Sequence, residues 1–231
     1  LAQPPVEFNW GCIGIRCCAF PAALDGPSAR RRASRNPLPQ LGQNPARSAL
    51  GQLLMARQST REFDDAALTL GEASQLLWAG QGIIRPDGGR VAPSAGALYP
   101  LELLLVVSRV KGLEPGIYRY ECEEHAVSLL SAGERASSLC RAALAQQPVA
   151  EAAAIIVILG VYERTALKYG DRAERYVLLE AGHAAQNILL QATELDLAAV
   201  PIGAFEDASV KQILGTAAAP IYLIPVGRKR T

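Results

Sequence analysis

The run "AAAIIVILGVY" (152–162) places the strongest limit on what this chain can fold into. It is almost unbroken aliphatic sequence, yet far shorter than the ~20 residues needed to cross a bilayer. Extended by two residues, "AAAIIVILGVYER" (152–164) reads by its length and branched side chains as a buried β-strand. "PLELLLVVSRV" (100–110) has the same character, and "PIYLIPVG" (220–227) reads as a final strand. "GIYRYECEEHAVSLLS" (116–131) places two alternating runs around polar "ECEEH", the pattern of a hairpin. A hairpin requires antiparallel pairing.

Helical periodicity fills the intervals. Helices are predicted over 46–57, 69–83, 134–146 and 207–214. In the second, Thr69 and Glu72 have the spacing of a capping box. The longest is "KYGDRAERYVLLEAGHAAQNILLQA" (168–192). At 100° per residue, its residues Val177, Leu178, Ala181, Ala184, Ala185, Ile188, Leu189 and Ala192 form an apolar face. Arg172, Tyr176, Glu180, His183, Asn187 and Gln191 form a polar stripe. His, Asn and Gln suit partly buried hydrogen bonding at a site or subunit contact, and His183 alone reads as a structural histidine. Strands and helices mix without strict βαβ alternation, so the fold class is α+β, with helices packed on one sheet.

Residues 1–46 differ from the rest. They hold many prolines and a basic run, "ARRRASR" (29–35), without periodicity. They read as a poorly structured leader, or else as a basic docking tail, preceding one domain over 47–231. No charged segment followed by an apolar one marks a signal peptide. A net charge of +1 implies no general attraction to nucleic acid or acidic membranes. Five cysteines at irregular spacing and two histidines assemble no zinc pattern, so no metal is expected. The chain reads as reduced, intracellular and cytoplasmic.

Five stretches could carry chemistry. In "RQSTREF" (57–63), Arg57 and Arg61 bracket Ser59 and Thr60. Two guanidiniums and two hydroxyls can grip a phosphate, although a solvated basic helix end has the same composition. "PDGGRVAPSAGALYP" (86–100) is rich in small residues that admit a planar ligand close to the backbone. It lacks the G-x-G-x-x-G and Walker patterns, and no nucleophile elbow surrounds Ser94. "VPIGAF" (200–205) reads as a short strand breaking at Gly203, where exposed amides could meet a heteroaromatic edge. "PVGRKRT" (225–231) could bring Arg228 to the same phosphate as Arg57 and Arg61, or be a solvated tail. Lys168 and Tyr169 stand at the head of the long helix, where the plain reading is a loop lysine and a packed tyrosine. Either needs burial or a cationic neighbour to act as a base near neutrality, and Arg172 and Arg175 are nearby.

These pieces recur in one order: R-x-S-x-R-x-F, "LLWAGQGI", "PSAGALYPLEL", "GIYRY", "KYGDRAERYVLLEAGHAAQNILLQA", "VPIGAF" and "PVG". Over about residues 47–228 the chain resembles the nitroreductase superfamily of flavin enzymes, most closely the SagB-type branch of thiazole- and oxazole-forming dehydrogenases. The resemblance implies a mixed, mostly antiparallel central sheet flanked by helices, a homodimer, and FMN held at its interface. It assigns Arg57, Gln58, Ser59 and Arg61 to the first flavin-binding motif, Gln58 standing where many relatives carry a basic residue or His. Ser94, Ala95 and Gly96 match the loop near the flavin ring. Ile202, Gly203 and Ala204 match the segment facing its N5 edge, and Arg228 matches a phosphate contact. Lys168 and Tyr169 match the catalytic pair of the azole-forming branch.

The implied reaction is oxidation of an azoline-like, peptide-derived substrate, with a small molecule or a peptide-modifying complex as partner. Two alternatives stay open: an NAD(P)H-dependent nitro or quinone reductase, and a non-catalytic interaction subunit. A serine hydrolase using Ser94 and His183 is a third, without the expected sequence context.

Overall fold

The computed structural model describes residues 48–230, so the leader predicted over 1–46 lies outside the described residues. The chain forms α1 (Ala49–Ala56), β1 (Phe63–Asp64), α2 (Leu70–Gln81), β2 (Leu101–Val107), β3 (Gly116–Glu121) and β4 (Ala126–Ala132). It continues with α3 (Ala136–Ala142), α4 (Gln147–Glu151), β5 (Ala154–Gly160), α5 (Tyr162–Tyr169), α6 (Ala173–Glu194), β6 (Leu197–Ala199), α7 (Asp207–Leu214) and β7 (Ala219–Lys229). The strand order is β1-β7-β5-β2-β3-β4, with β6 also on β7. Every ladder between these strands is antiparallel. The α+β class holds, with one antiparallel sheet flanked by helices.

The central strands are continuously apolar because both faces of the sheet are covered. Leu101, Leu103, Leu105, Ile156 and Ile158 pack with α2 and α6 residues such as Leu76, Leu77, Ala181 and Ile188. Their sequence neighbours Leu104, Val106, Ile155, Val157 and Leu159 point the other way, toward Leu139, Val149, Val210 and Leu214 of α3, α4 and α7. Strand period two thus sends alternate residues into two cores. Each such fully buried aliphatic side chain contributes roughly 1.5–3 kcal/mol. None of the described helices is long and apolar enough to cross a membrane.

Helix α2 closes the predicted capping box: the Glu72 amide donates to Thr69 Oγ1 at 3.2 Å, and the Thr69 amide donates to Glu72 Oε2 at 2.8 Å. The strand predicted over 152–164 stops at Gly160, and α5 begins two residues on, taking in the last three predicted strand residues. Lys168 and Tyr169 are therefore the last two residues of a helix, not loop residues. Helix α5 buries only Thr165 and leaves Leu167 92 % exposed, so it has no apolar stripe to announce it. The predicted continuous helix from 168 is also interrupted. Gly170 adopts φ +52, ψ −132, a conformation suited to glycine, and one 3₁₀ turn over Gly170–Arg172 precedes α6.

The register gives the sheet two distinct ends. Gly160 of β5 pairs with Leu101 on one side and Ala219 on the other, at the start of β7. Phe63 pairs with Lys229 and Leu197 with Arg228, at its finish. At about 3.3 Å per residue, β7 separates the two ends by on the order of 30 Å. Helix α6 runs the same distance, and past its end the Asp196 carboxylate pairs with the Lys229 ammonium.

Candidate active site

At the end where β2 begins, a strained loop meets the C-terminus of α5. Between Ser94 and Tyr99, Gly96, Ala97 and Tyr99 have φ values of 65°, 55° and 45°. Ala97 and Tyr99 are L-residues in a region they seldom occupy. Several contacts hold them there. The Tyr99 amide donates to Ser94 Oγ at 2.9 Å, and an Arg164 guanidinium N–H donates to the Tyr99 carbonyl at 3.3 Å. The Arg90 guanidinium lies 4.6 Å from the centre of the Tyr99 ring. Arg164 also pairs with Glu102 on β2.

This loop presents Gly96 to Lys168 and Tyr169. A Cβ added at Gly96 would stand 2.8 Å from Tyr169 Oη and 2.9 Å from Lys168 Nζ. Only glycine allows so close an approach. Tyr169 is held by an edge-to-face contact with Tyr176 of α6, with centroids 4.9 Å apart. Lys168 Nζ lies 5.5 Å from the Tyr169 ring centre. Ser94 to Gly96 and the Lys168–Tyr169 pair, separated in sequence by β2 to β5 with α3 and α4, therefore share one place.

Glu180 was part of the polar stripe but was not predicted to belong to a site. It is 3 % exposed, one helical turn beyond Tyr176, and its Oε1 has no hydrogen-bond partner. Burial pushes the carboxyl up to about 7, against the hydrogen-bonding interaction of the Ser94 hydroxyl and the charge of Arg90, which both favour the anion. Arg90 in turn donates to Gln81 Oε1 at 2.6 Å. Gln81 is 1 % exposed. An isolated Glu on a helix gives no sequence signal of burial; its fourth-residue spacing from Tyr176 and Arg172 was the only available clue. The rest of the stripe divides: Tyr176, Asn187 and Gln191 are half-buried, while Arg172 and His183 are exposed. The expectation of a partly buried stripe holds for Tyr176, Glu180, Asn187 and Gln191 and not for those two, and Leu178, expected on the apolar face, is exposed. His183 has no hydrogen-bond partner among the described residues and packs as no structural histidine within this chain.

Glu180 makes stability depend on pH. Between pH 4.5 and about 7 the folded chain holds a proton that the unfolded chain has released, so stability falls as pH rises through that window. A displacement from 4.5 to about 7 corresponds to on the order of 3 kcal/mol. Glu180→Gln is expected to flatten this fall, measured by chemical denaturation at about pH 5 and about pH 8. An equal fall in both proteins would contradict the assignment.

The second group of predicted residues lies at the opposite end of the sheet. Arg57 ends α1, and the Thr60 amide donates to the Ala199 carbonyl of β6 at 3.1 Å. Neither Arg57 nor Arg61 has an ion-pair or hydrogen-bond partner for its guanidinium among the described residues. Gln58 and Ser59 are exposed beside them. Arg228 reaches this end but is engaged: Nη1 and Nη2 lie 2.7 Å and 2.8 Å from the two Glu72 carboxylate oxygens. That bidentate pair joins β7 to the cap of α2. Ile202 exchanges hydrogen bonds with Leu223 midway along β7, and Gly203 and Ala204 beyond it are exposed. The predicted strand over 200–205 is in fact β6, Leu197–Ala199, followed by this single bridge.

Ser94 and His183 are not brought together. The hydrogen-bonded Ser–His pair among the described residues is Ser74 with His125, at 2.8 Å, and His125 Nδ1 also lies 2.8 Å from Tyr120 Oη. These contacts pin the β3–β4 turn to α2. No cluster of three or more His, Cys, Asp or Glu among the described residues could hold a metal ion.

Comparison with known proteins agrees with this architecture. Residues 54–228 match the nitroreductase family. The Methanocaldococcus jannaschii protein MJ1384, which carries a nitroreductase name, is 43 % identical over 180 residues, covering 78 % of this chain and 91 % of its own. A crystal structure from Anabaena variabilis, also given a nitroreductase name, superposes with a TM-score of 0.70 at 30 % identity. It covers 78 % of this chain, which spans only 38 % of the Anabaena chain. A chain of the E. coli microcin synthetase McbBCD complex with truncated pro-MccB17 bound shares the fold, with a TM-score of 0.73 at 21 % identity, over 90 % of this chain and 79 % of that one.

Proposed function

This chain belongs to the nitroreductase family of oxidoreductases, and from that premise we propose that it is an FMN-dependent, SagB-type dehydrogenase working as a homodimer. The observation that carries the reading is the approach of Gly96 to Tyr169 Oη and Lys168 Nζ. It joins a small-residue loop that admits a planar ring to two groups that can handle a proton.

The residues present fit FMN. Arg57 and Arg61, whose guanidiniums are uncommitted, and the exposed Ser59 form a donor set suited to a phosphate, with Gln58 between them. Ser94, Ala95 and Gly96 leave room against the backbone for a planar ring, and exposed Gly203 and Ala204, next to Ile202, offer amides to a polar edge. Arg228 would take part only by leaving Glu72 or through its field. When bound, FMN supplies the two-electron acceptor for a hydride. The chain's own residues handle the proton: Tyr169 Oη or Lys168 Nζ takes it from the substrate carbon as an azoline becomes an azole. Arg172, with its guanidinium 5.9 Å from the Tyr176 ring centre, keeps positive charge on this face.

One ligand cannot span both groups within one copy, because they lie at opposite ends of β7. The proposal is that two copies complete each site, the 57–61 end of one meeting the 94–99 loop of the other. Helix α1 supports this. It buries none of its residues, and Leu50, Leu54 and Met55 are all exposed, as are Leu178 and Leu179 on α6. The shared fold with a chain of the microcin synthetase complex is consistent with a peptide substrate. The nitroreductase name of the M. jannaschii relative favours a second reading, reduction of nitro groups, to which the proposal adds quinones as substrates and NAD(P)H as donor.

Offering the FMN-loaded protein an azoline-bearing peptide, and separately NAD(P)H with a nitroarene, distinguishes the two. The proposal expects the peptide to lose two hydrogens, seen as azole by mass spectrometry. Nitroarene reduction with an unchanged peptide would overturn it in favour of the second reading.

A further inference from the structure

We propose that the gap between β2 and β3 is a peptide-binding cleft: an extended segment flanking the azoline lies along the open edge of β2, held by main-chain hydrogen bonds. The inference rests on the reading of the substrate as peptide-derived and names the part of the chain that holds it.

The ladder between β2 and β3 runs only from Val107–Gly116 to Leu104–Arg119. Each strand continues beyond that point on its other side: β2 stays paired with β5 as far as Leu101, and β3 with β4 as far as Glu121. The two strands therefore part. A cavity of about 400 Å³ lies where their ladder stops, with Leu101 and Glu102 on one wall and Tyr120 and Glu121 on the other. An opened strand edge presents main-chain N–H and C=O groups with no neighbouring strand to meet. An extended peptide supplies the missing partners. Gln81 and Arg90 also line the cavity. Gln81 is 1 % exposed, and its Oε1 accepts from the Arg90 guanidinium at 2.6 Å. Its Nε2 and Arg90 Nε have no hydrogen-bond partner among the described residues. A peptide carbonyl is the acceptor that two such donors lack. Three arginines and four glutamates line the cavity, and Arg164 and Glu102 among them are paired. That balance gives no net attraction for a phosphate or a free carboxylate, so the uncharged main chain is the ligand it suits. The cleft adjoins the proton-handling pair. The Arg90 guanidinium lies 4.6 Å from the centre of the Tyr99 ring, and Arg164 donates to the Tyr99 carbonyl. Arg164 stands one helical turn before Lys168 on α5. A peptide along the start of β2 thus runs toward the loop that meets Lys168 and Tyr169.

The probe is a short peptide, capped at both ends and carrying one thiazole, the oxidised product, so that binding is read without turnover. Hydrogen exchange of the full chain with FMN added is followed with and without it. Amides within 101–103 and 120–122 should exchange about tenfold slower or more when the peptide is present. N-methylation, walked along the flanking residues, should weaken binding about tenfold at the positions bonded to β2, the worth of one lost main-chain hydrogen bond. Gln81→Glu keeps an acceptor for Arg90 and removes the Nε2 donor. It should weaken the peptide by about tenfold or more.

Unchanged exchange in both segments overturns the proposal, as does equal affinity across the whole N-methylated series. Acetate giving the same protection as the peptide would make the gap an anion site and overturn it too. If Gln81→Glu fails to fold, the N-methylated series decides the matter, since it alters only the ligand. Protection as expected in a protein that oxidises no azoline leaves the cleft standing and removes the proposed reaction. Oxidation of an azoline peptide that leaves both segments unprotected removes the cleft and keeps the reaction.

Discussion

Changing Lys168 to Ala and Tyr169 to Phe in one chain is expected to lower azoline oxidation by roughly two to four orders of magnitude, the usual worth of a positioned acid–base group. Flavin content and thermal midpoint should stay close to wild type. Both residues lie in the last turn of α5, whose only buried residue is Thr165. Lys168 is exposed, so shortening it forfeits little packing. Phe at 169 keeps the edge-to-face contact with Tyr176 while removing the hydroxyl that meets Gly96. The single variants apportion the role. If Tyr169→Phe alone reproduces the loss, the tyrosine oxygen, as phenolate, is the proton acceptor and Lys168 tunes it; the reverse pattern makes the Lys168 side chain, as the neutral amine, the acceptor. Undiminished oxidation in the double variant would remove the pair from the mechanism.

The second large effect concerns assembly. Charging the exposed face of α1, as in Leu54→Asp with Met55→Asp, is expected to yield a monomer that has lost FMN affinity by about a hundredfold or more, since an uncompensated charge in an apolar interface costs several kcal/mol. The helix should survive, because neither side chain is buried within the chain and the Ser48 cap, which accepts the Gly51 amide at 3.0 Å, is untouched. Added carboxylates also stand near Arg57, so a local charge effect must be separated. Met55→Arg, of opposite sign, should give the same monomer and the same loss. A monomeric variant that still binds FMN as wild type would show that each copy holds the cofactor alone.

Much of the fold was legible because its signals are local. Two uninterrupted apolar runs predicted strands covered on both faces, and the structure supplies α2 and α6 on one side and α3, α4 and α7 on the other. Thr69 and Glu72 located the start of α2 from two residues. Helix α5 escaped notice because it is held by its neighbours rather than by an apolar stripe. Helix α4, with Pro148 in its first turn, is too short for periodicity to register.

The candidate site was legible in part. Small residues at 94–96 and the Lys168–Tyr169 pair carried a family pattern, but their meeting depends on the turn at Gly170 and on a loop with three positive φ values. Glu180 could be placed on the polar stripe, yet its burial is a tertiary fact that helical spacing does not carry. Arg228 shows the opposite case. Its position beside a glycine at the chain's end suggested a free phosphate contact, whereas the Glu72 carboxylate occupies both of its terminal nitrogens.

The most direct measurement is sedimentation of the purified protein with added FMN, followed at once in the protein band and the visible flavin band. The account predicts that flavin travels with a species of twice the 24.5 kDa chain mass, one FMN for each chain. A colourless protein that leaves added FMN behind would contradict it and point instead to a non-catalytic interaction subunit built on this fold.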